Sequence, residues 1–488
     1  MDDPFADLEP VASLTGPDGV RFCFDHSEDV PPPRPHPPAP EPAIPPEIEV
    51  TEDGVARAFT ETYGGTLRFD HDAGRWYHWE GDRWQADTTA RAFEYCRRLA
   101  RIASEGAKRS LLATARKASF AGGVERLARA DPAHAVTQEI WDRDPWLLGC
   151  PGETVDLRTG RSAPPRPDDG ITRRVAVAPA QHESCPIWSQ FLEDATGADS
   201  SVMRFLQQWA GYSLTGITRE HTLVFLYGDG GNGKSVFINT LTGLLGEYAA
   251  TAGMETFTAS KSDRHPTDLA MLAGARLVTA SETEEGRAWA ESRIKQMTGG
   301  DRITARFMRR DFFTYTPQFK LTLVGNHRPA LANVNAAMRR RFCMVPFDRK
   351  PPEADPQLED KLKAEWPGIL RWAINGALDW QENGLIRPQK VLDATAEYFE
   401  EQDLFGQWLA EECSLDAKRG PYSYETSRDL FESWTAYARA AGEEPGTSTR
   451  FGEMLARRGL LRGQERVNGK VAKVWRGINL RRTTYAET

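Results

Sequence analysis

A glycine-rich segment between two apolar runs constrains the fold of this chain most strongly. Its eight residues, which follow the pattern G-x-x-x-x-G-K-[ST], are Gly228, Asp229, Gly230, Gly231, Asn232, Gly233, Lys234 and Ser235. The preceding run, HTLVFLY, predicts a buried strand, and KSVFINTLTGLLG predicts a helix that ends at Gly246. A strand, a glycine turn and a helix in this order predict an α/β fold in which backbone N–H groups and a helix N-terminus face an anion.

This loop predicts a nucleotide site with ATP and Mg²⁺ as cofactors. In loops of this type the lysine reaches the β- and γ-phosphates, and the hydroxyl that follows is a ligand of Mg²⁺. We therefore expect Lys234 to act in catalysis and Ser235 to bind the metal. A chain of this length shows the pattern by accident roughly one time in fifty, and the flanking strand and helix argue further against a glycine turn that binds nothing.

Two further apolar runs carry candidate catalytic residues at their ends. ARLVTASETEEG predicts a strand followed by Glu282, a carboxylate that could hold the water ligands of Mg²⁺ and polarise the attacking water. Glu284 and Glu285 are alternatives, unless they are only solvated acids at the start of a helix. FKLTLVGN ends in Asn326, which could orient a water near the γ-phosphate or could simply form a turn.

Three consecutive arginines precede the next apolar strand, in AMRRRFCMVPF. Arg339, Arg340 and Arg341 cannot all face one side of the chain, so at least one should project outward. A projecting arginine could reach the γ-phosphate bound by a neighbouring subunit, and Arg340 and Arg341 are the candidates for this catalytic role. The alternative is a cluster of surface salt bridges.

Changes in composition divide the chain into five predicted segments. Residues 1–48 end in a run made mostly of proline, which favours a disordered linker or tail. Residues 49–180 predict a mixed α+β domain with a β-meander followed by helices. The remaining segments are a motif-bearing domain at 181–350, a helical extension at 351–414 and a helix–helix–hairpin module at 415–488.

Composition and charge disfavour several classes of protein. Six cysteines lie far apart without a CxxC pair, which disfavours a zinc knuckle or disulfide framework and predicts reduced thiols in a cytoplasmic protein. No apolar run approaches the roughly 20 residues of a membrane span. The net charge of −9 disfavours coating of nucleic acid by the whole surface, so contacts would come from local basic clusters. Asp70 and Asp72 lie beside a turn glycine, and we do not interpret them as a metal-binding acid pair.

The order of these motifs resembles that of the superfamily 3 helicases, ring-forming AAA+ motors of viruses and plasmids. More narrowly, it is similar to the phage/plasmid and poxvirus-type primase-helicases. The resemblance rests on the phosphate loop, the strand ending in Glu282, IKQMTGGDRITAR, the strand ending in Asn326 and RRRF. It extends upstream to WSQFLEDATG and downstream through EWPGILRWAINGAL, and covers about residues 50–485.

The resemblance implies an AAA+ type P-loop motor domain with helical flanks, an N-terminal α+β domain and a C-terminal winged helix. Many superfamily 3 motors carry two adjacent acids after the second strand, but here Thr283 follows Glu282, which leaves the second acid open. Long members carry a primase domain before the helicase. Because only the proline-rich tail precedes residue 49, we expect the helicase portion without a primase domain.

In this family the interval between the second and third strands forms a hairpin that projects into the pore of the ring. Residues 287–310 carry seven basic side chains and two acids, and the sequence agrees with a helix ending near TGGD, followed by alternating RITARFM, an RRD turn and the returning FFTYTP. Arg309 and Arg310 would grip phosphates of one strand at the tip, with Lys295 and Arg306 nearby. Such contacts are independent of base sequence and weaken with salt. The alternative is a solvated basic hairpin.

The C-terminal module is the second basic cluster. Residues 448–482 contain ten lysines and arginines and two acids. The sequence predicts a helix capped by Ser448 or Thr449 and a hairpin turn at Asn468-Gly469. Duplex DNA is the predicted ligand, although winged helices also bind proteins; the expected contacts are Arg450, Arg457, Arg458, Lys470 and Lys473.

Together these features predict an ATP-dependent, ring-forming DNA helicase for phage or plasmid replication in a bacterial host cell. By resemblance the ring is a hexamer that travels 3′ to 5′ on single-stranded or forked DNA, and a separate primase or polymerase is a candidate partner. The alternatives are an origin-binding or loading factor without processive unwinding and a protein-remodelling AAA+ ATPase.

Overall fold

A computed structural model describes most of the chain. It covers residues 43–259, 267–281, 288–309, 311–331, 336–351, 353–415 and 423–481, and the backbone of two strands near the N-terminus. The chain forms two compact units. One combines Met1–Gly64 with Phe93–Ala128, and the other combines Gly65–Ala92 with Arg129–Thr488.

The first unit is mainly helical. Its elements are strands β1 (Ser13–Thr15) and β2 (Arg21–Cys23), which pair antiparallel, and helices α1 (Glu52–Tyr63), α2 (Arg91–Ala103), α3 (Arg109–Ala115) and α4 (Ala118–Ala130). The hydroxyl of Thr51 caps α1 by accepting a hydrogen bond from the Gly54 N–H at 3.0 Å. Tyr63 of α1 stacks on Tyr95 of α2 with ring centroids 4.4 Å apart, so an aromatic contact joins these two helices.

The second unit begins with two small sheets. Their strands are β3 (Leu67–Asp70), β4 (Arg75–Trp79), β5 (Trp84–Ala86), β6 (Ala135–Val136), β7 (Leu147–Cys150), β8 (Glu153–Asp156) and β9 (Arg161–Ala163). β3, β4 and β5 form the predicted meander, with antiparallel pairing throughout. The Asp70 carboxylate accepts hydrogen bonds from the Trp141 indole at 2.8 Å and from the backbone N–H of Asp72 at 2.9 Å. It therefore stabilises a turn.

A five-stranded parallel sheet forms the centre of the second unit. The strands of this region are β10 (Leu223–Tyr227), β11 (Ala249–Thr251), β12 (Leu277–Ser281), β13 (Ile303–Ala305), β14 (Phe313–Tyr315), β15 (Lys320–Gly325) and β16 (Phe342–Pro346). The sheet order is β11-β12-β15-β10-β16, and β13 and β14 form a separate hairpin. In the register, Tyr227 lies beside Gly325, and Ser281 lies beside Val324, so the carboxyl ends of β10, β15 and β12 meet at one edge.

Helices cover both faces of this sheet. They are α5 (Pro186–Thr196), α6 (Ser200–Leu214), α7 (Lys234–Leu245), α8 (Thr267–Ala270), α9 (Glu291–Gly299), α10 (Ala336–Arg339), α11 (Leu358–Ala364), α12 (Trp366–Asn383) and α13 (Gln389–Glu401). The next helix, α14 (Leu404–Glu412), packs instead against the C-terminal module. Val224 and Leu226 of β10 belong to one buried apolar cluster, and Leu223 and Phe225 belong to another. Burial on both faces explains why this strand is a continuous apolar run.

The C-terminal module has two helices followed by a hairpin, as the sequence predicted, and three further short strands that the sequence did not predict. It contains β17 (Cys413–Leu415), β18 (Tyr424–Thr426), α15 (Ser427–Ala440), α16 (Ser448–Arg457), β19 (Leu461–Val467), β20 (Lys470–Arg476) and β21 (Ile478–Leu480). The turn between β19 and β20 has φ of 49° at Asn468 and 80° at Gly469, as the sequence predicted. The predicted cap of α16 was wrong by at least one residue, because the hydroxyl of Thr447 accepts the hydrogen bond from the Arg450 N–H at 3.3 Å.

Two further findings concern the helices and the cysteines. Within the described residues, no helix is both long and apolar enough to cross a membrane. The cysteines described with side chains are buried; they are Cys96, Cys150, Cys185, Cys343 and Cys413. Burial raises the pKa of the Cys343 thiol to about 11, so this thiol stays protonated at neutral pH.

Candidate active site

The glycine-rich loop begins where β10 ends and leads directly into α7. Gly228 has φ of 141°, and a Cβ at this position would lie 2.1 Å from the carbonyl oxygen of Phe347. Only glycine allows the loop backbone to pass so close to the residue that follows β16. Gly233, with φ of 88°, is the N-cap of α7, so Lys234 and Ser235 occupy the first turn of the helix.

The Lys234 side chain folds back onto the loop. Its ammonium donates to the carbonyl oxygens of Gly228 at 2.6 Å and Asp229 at 2.9 Å, and to the Asn232 amide oxygen at 2.9 Å. Burial lowers the pKa of Lys234, Asp229 opposes this shift, and the neighbouring Lys350 adds to it. An anion bound at the loop would favour the charged lysine.

Asn232 connects the loop to Phe347, the residue directly after β16. This side chain is 3 % exposed. Its amide nitrogen donates to the carbonyl oxygen of Phe347, while its amide oxygen accepts from Lys234. The sequence pattern leaves this position free, and so it did not predict that Asn232 would position the lysine. Lys350 was also missed, and its proximity to Lys234 has no sequence signal.

The outer side of the loop is open. A Cβ built on Gly230 or Gly231 would meet no atom within 4 Å, and Asp229 and Ser235 are exposed. An ammonium, a hydroxyl and the start of a twelve-residue helix lie around this space. This donor set fits a phosphate group, because the N-terminal N–H groups of a helix and a lysine both stabilise negative charge.

The other predicted catalytic positions lie at the neighbouring strand ends. Asn326 follows β15, which lies between β10 and β12, and its side chain is exposed. Glu282 follows Ser281 at the end of β12, but Glu282, Glu284 and Glu285 lie outside the described residues. The proposed second ligand of the metal beside Ser235 therefore stays a prediction.

Arg328 is a further cation at this edge that the sequence analysis missed. Its guanidinium lies 5.2 Å from the centre of the Tyr227 ring, directly before the loop, and forms an ion pair with Glu401 at 3.0 Å. One of its nitrogens, Nη1, is buried with no hydrogen-bond partner among the described residues. No motif marks this arginine, because its position depends on the non-local pairing of β10 with β15.

The three consecutive arginines have different environments. Arg339 and Arg340 are exposed, whereas Arg341 is 9 % exposed and donates to the Thr298 hydroxyl at 3.2 Å and to the Ala337 carbonyl at 2.8 Å. Burial lowers the pKa of Arg341. These contacts hold Arg341 within its own chain, so the geometry favours Arg340 over Arg341 as a residue that could reach a neighbouring subunit.

The predicted basic hairpin is formed by β13 and β14, and α9 ends directly before it at Gly299. Arg309 is exposed in the connecting loop with φ of 59°. Arg306 lies over the Phe312 ring, 4.7 Å from its centre. Lys295 of α9 pairs with Glu291 at 3.6 Å. Arg310 lies outside the described residues, so its role stays a prediction.

The basic side chains of the C-terminal module are exposed. They are Arg450, Arg457 and Arg458 on or beside α16, and Lys470 and Lys473 on β20. Arg458 forms an ion pair with Asp403 and is therefore partly neutralised. The remaining charges lie on one helix and one hairpin, as a surface for phosphate contacts would require.

Two family models match the chain. Residues 56–197 match the model described as D5 N terminal like, and residues 226–341 match a family of unknown function, DUF5906. The second range contains the glycine-rich loop, the hairpin and the three arginines.

Two similar curated proteins come from viruses and carry helicase names. One, from Acanthamoeba polyphaga mimivirus, is 25% identical over 296 residues, which are 55% of this chain and 31% of that protein. Another, from Frog virus 3 (isolate Goorha), is 26% identical over 266 residues, which are 49% of this chain and 27% of that protein. The matched part of the chain thus spans less than a third of each relative.

Two solved structures of the NrS-1 C-terminal region are also similar. The A form apo structure has 12% identity and a TM-score of 0.49, covering 88% of this chain and 99% of that chain. A second apo structure has 11% identity and a TM-score of 0.49, covering 84% of this chain and 95% of that chain. The D5 N terminal like match and the helicase names of the viral relatives support the resemblance to the phage and viral primase-helicases that the sequence motifs indicated.

Proposed function

We propose that this chain is an ATP-dependent DNA helicase of phage or plasmid replication, acting as a ring, with hexameric assembly and 3′ to 5′ movement carried over from the resemblance. One observation supports this function most strongly. Lys234 is held by two loop carbonyls and Asn232 at the start of α7, beneath an open loop that fits phosphate. The helicase names of the viral relatives favour nucleic acid over other targets of such a motor.

Each residue at the loop has a defined part in this proposal. Lys234 would bind the terminal phosphates of ATP, and Ser235 with Glu282 would hold Mg²⁺. Asn326 would orient the attacking water at the adjacent strand end. Arg340 would supply positive charge to the nucleotide of the next subunit, where such an arginine is worth several powers of ten in rate.

The polypeptide connects this site to the hairpin over a short distance. The segment after β12 leads into α9, and α9 ends at Gly299, four residues before β13 begins at Ile303. A change at the carboxyl end of β12 could therefore move the hairpin. Arg309, with Arg310 beside it in the sequence, would carry phosphates of one DNA strand during this movement.

The direct test is ATP hydrolysis with and without single-stranded DNA. We expect DNA to stimulate hydrolysis, the stimulation to weaken as salt rises, and Lys234→Ala to abolish it. The matched control is Lys363→Ala, which removes an exposed lysine of α11 that pairs with Asp360 at 2.9 Å. Equal hydrolysis by Lys234→Ala and the wild-type chain would refute the assignment of the loop.

A second candidate is an origin-binding or loading factor that does not unwind processively. The exposed cations of α16 and β20 favour this candidate, because one helix and one hairpin suit backbone contacts on duplex DNA. A strand-displacement assay on forked DNA separates the two. ATP-dependent displacement supports the helicase, and duplex binding without displacement supports the loading factor.

A further inference from the structure

The hairpin exposes an unusual amount of apolar surface at its tip. Phe307 is 46% exposed, Met308 is 69% exposed and Phe312 is 60% exposed. Single exposed apolar residues are common on soluble proteins and need no explanation. Three of them within six positions, in a loop that also carries arginines, form a local patch that the phosphate-binding role of the hairpin does not explain.

An aromatic ladder leads from the base of the hairpin towards this patch. Phe313 is paired with Ala305, and Tyr315 is paired with Ile303, so these side chains share one face. The Phe313 ring stacks on Tyr315 with centroids 6.0 Å apart and on Phe307 with centroids 5.8 Å apart. The Tyr315 hydroxyl donates to the Leu269 carbonyl at 2.6 Å.

The Tyr315 ring, which its hydroxyl anchors, therefore lies at one end of the ladder. The half-exposed Phe307 ring lies at the other end. Phe307 and Phe313 are close to parallel, with an interplanar angle of 18°. A further flat ring could continue this stack beyond Phe307. The opposite face of the hairpin is polar, since the hydroxyls of Thr304 and Thr314 lie 3.2 Å apart there.

Charge at the tip identifies the class of ligand. The Arg306 guanidinium covers one face of Phe312, and Arg309 is exposed in the same loop. Protein interfaces are depleted of charge at their centres, whereas grooves for single strands combine cations for the phosphates with aromatic rings for the bases. Unpaired nucleobases match both features, because each has a π-face and lies beside a phosphate.

We propose that the hairpin tip is a base-stacking subsite for single-stranded nucleic acid. Phe307 and Phe312 receive nucleobases, Met308 packs against their edges, and Arg309 pairs with the adjoining phosphate. This subsite rests on the proposed helicase function and adds to it a grip on the bases. The hairpin then binds a strand that carries bases more tightly than a backbone without bases. An intact duplex cannot occupy the subsite, because its bases are already stacked on one another.

The test compares two ligands of equal charge. Binding of the full chain is measured by fluorescence anisotropy with a homothymidine oligonucleotide and with an abasic oligonucleotide of the same length. Stacking on an aromatic residue is sequence-tolerant and strong enough that each ring should contribute about tenfold in affinity. We expect tighter binding of homothymidine by the wild-type chain. Phe307→Ala and Phe312→Ala should each weaken homothymidine binding about tenfold and leave abasic binding unchanged.

Two controls separate stacking from charge and from general surface effects. Arg309→Ala should weaken both oligonucleotides to a similar extent, because it removes a phosphate contact. Leu392→Ala changes an apolar residue that is 43% exposed on α13, and it should alter neither affinity. A fluorescent base analogue in the homothymidine strand should be quenched by the wild-type chain and less so by Phe307→Ala.

The outcomes distinguish this subsite from the function on which it rests. Equal affinity of the wild-type chain for both oligonucleotides would overturn the subsite and leave the helicase proposal in place. A change in oligomer size in the phenylalanine variants, with an unchanged ratio of the two affinities, would also overturn it and assign the patch to contacts between copies. Absence of binding to either oligonucleotide would overturn both proposals.

Discussion

Alanine substitutions at four glycines of the phosphate loop should destabilise the chain in a graded order. The backbone angles and the surroundings of each glycine differ, although the sequence pattern treats several of them alike. Gly230 has an ordinary φ and open space around it, and Gly231 has open space but φ of 79°. A Cβ on Gly233 would lie 2.7 Å from a ring carbon of Phe191, and φ there is 88°.

The expected losses follow from these environments. Gly230→Ala should be neutral or should stabilise by up to about 1 kcal/mol, because alanine restricts the unfolded chain. Gly231→Ala should cost about 1–2 kcal/mol for the left-handed backbone alone. Gly233→Ala adds displacement of a buried ring and should cost about 2–4 kcal/mol. Gly228→Ala meets the backbone oxygen of Phe347, which cannot rotate away, and should cost more than about 4 kcal/mol.

The assay is urea denaturation of the chain without nucleotide, followed by tryptophan fluorescence. Omitting nucleotide separates backbone strain from any obstruction of a phosphate. The predicted order of free energies of unfolding is Gly230→Ala, then Gly231→Ala, then Gly233→Ala, then Gly228→Ala as the least stable. If Gly228→Ala were as stable as Gly230→Ala, the close approach of the loop to Phe347 would be wrong.

Three further predictions concern single side chains. Asn232→Ala should lower the free energy of unfolding by about 1–3 kcal/mol, because the Phe347 carbonyl and the Lys234 ammonium each lose a hydrogen bond. An unchanged midpoint of thermal denaturation would contradict these two contacts. Arg341→Ala should cost about 1.5–3 kcal/mol of stability, whereas Arg340→Ala should stay within about 0.5 kcal/mol and lower ATP turnover; the opposite pattern would exchange their roles. Burial lowers the pKa of His134, whose ring bonds the Leu67 carbonyl, so its stabilising contribution is complete above its ordinary pKa of about 6.5 and is lost as the pH falls through the lowered value. Urea midpoints measured from neutral to acidic pH should therefore fall less steeply in His134→Phe, and an unchanged slope would contradict this.

Local signals allowed much of the fold around the loop to be predicted from sequence. The helix expected to end near TGGD ends at Gly299, and Gly300 follows with φ of 78°. Asn468 and Gly469 form the expected turn. Each of these features depends on the backbone angles that one or two residues can adopt, and the residue type alone determines this range. The apolar runs likewise predicted strands, because a parallel sheet buries both faces.

Features that depend on distant contacts could not be predicted. Thr447, Ser448 and Thr449 can all cap a helix, and the path of the chain into α16 selects Thr447. Lys320 begins the apolar strand β15 but is fully buried, where burial strongly lowers its pKa and its ammonium donates to the Thr215 carbonyl. The sequence likewise could not show that Arg341 is buried while its neighbour Arg340 is exposed, because this difference depends on distant contacts.

In the proposed function, ATP hydrolysis at the loop drives a hairpin that grips one DNA strand. The most direct measurement compares ATP hydrolysis and strand displacement by the wild-type chain with those of a variant carrying Arg309→Ala and Arg310→Ala. We predict that the variant keeps its hydrolysis without DNA and loses displacement of forked DNA. Normal displacement by this variant would contradict the central claim.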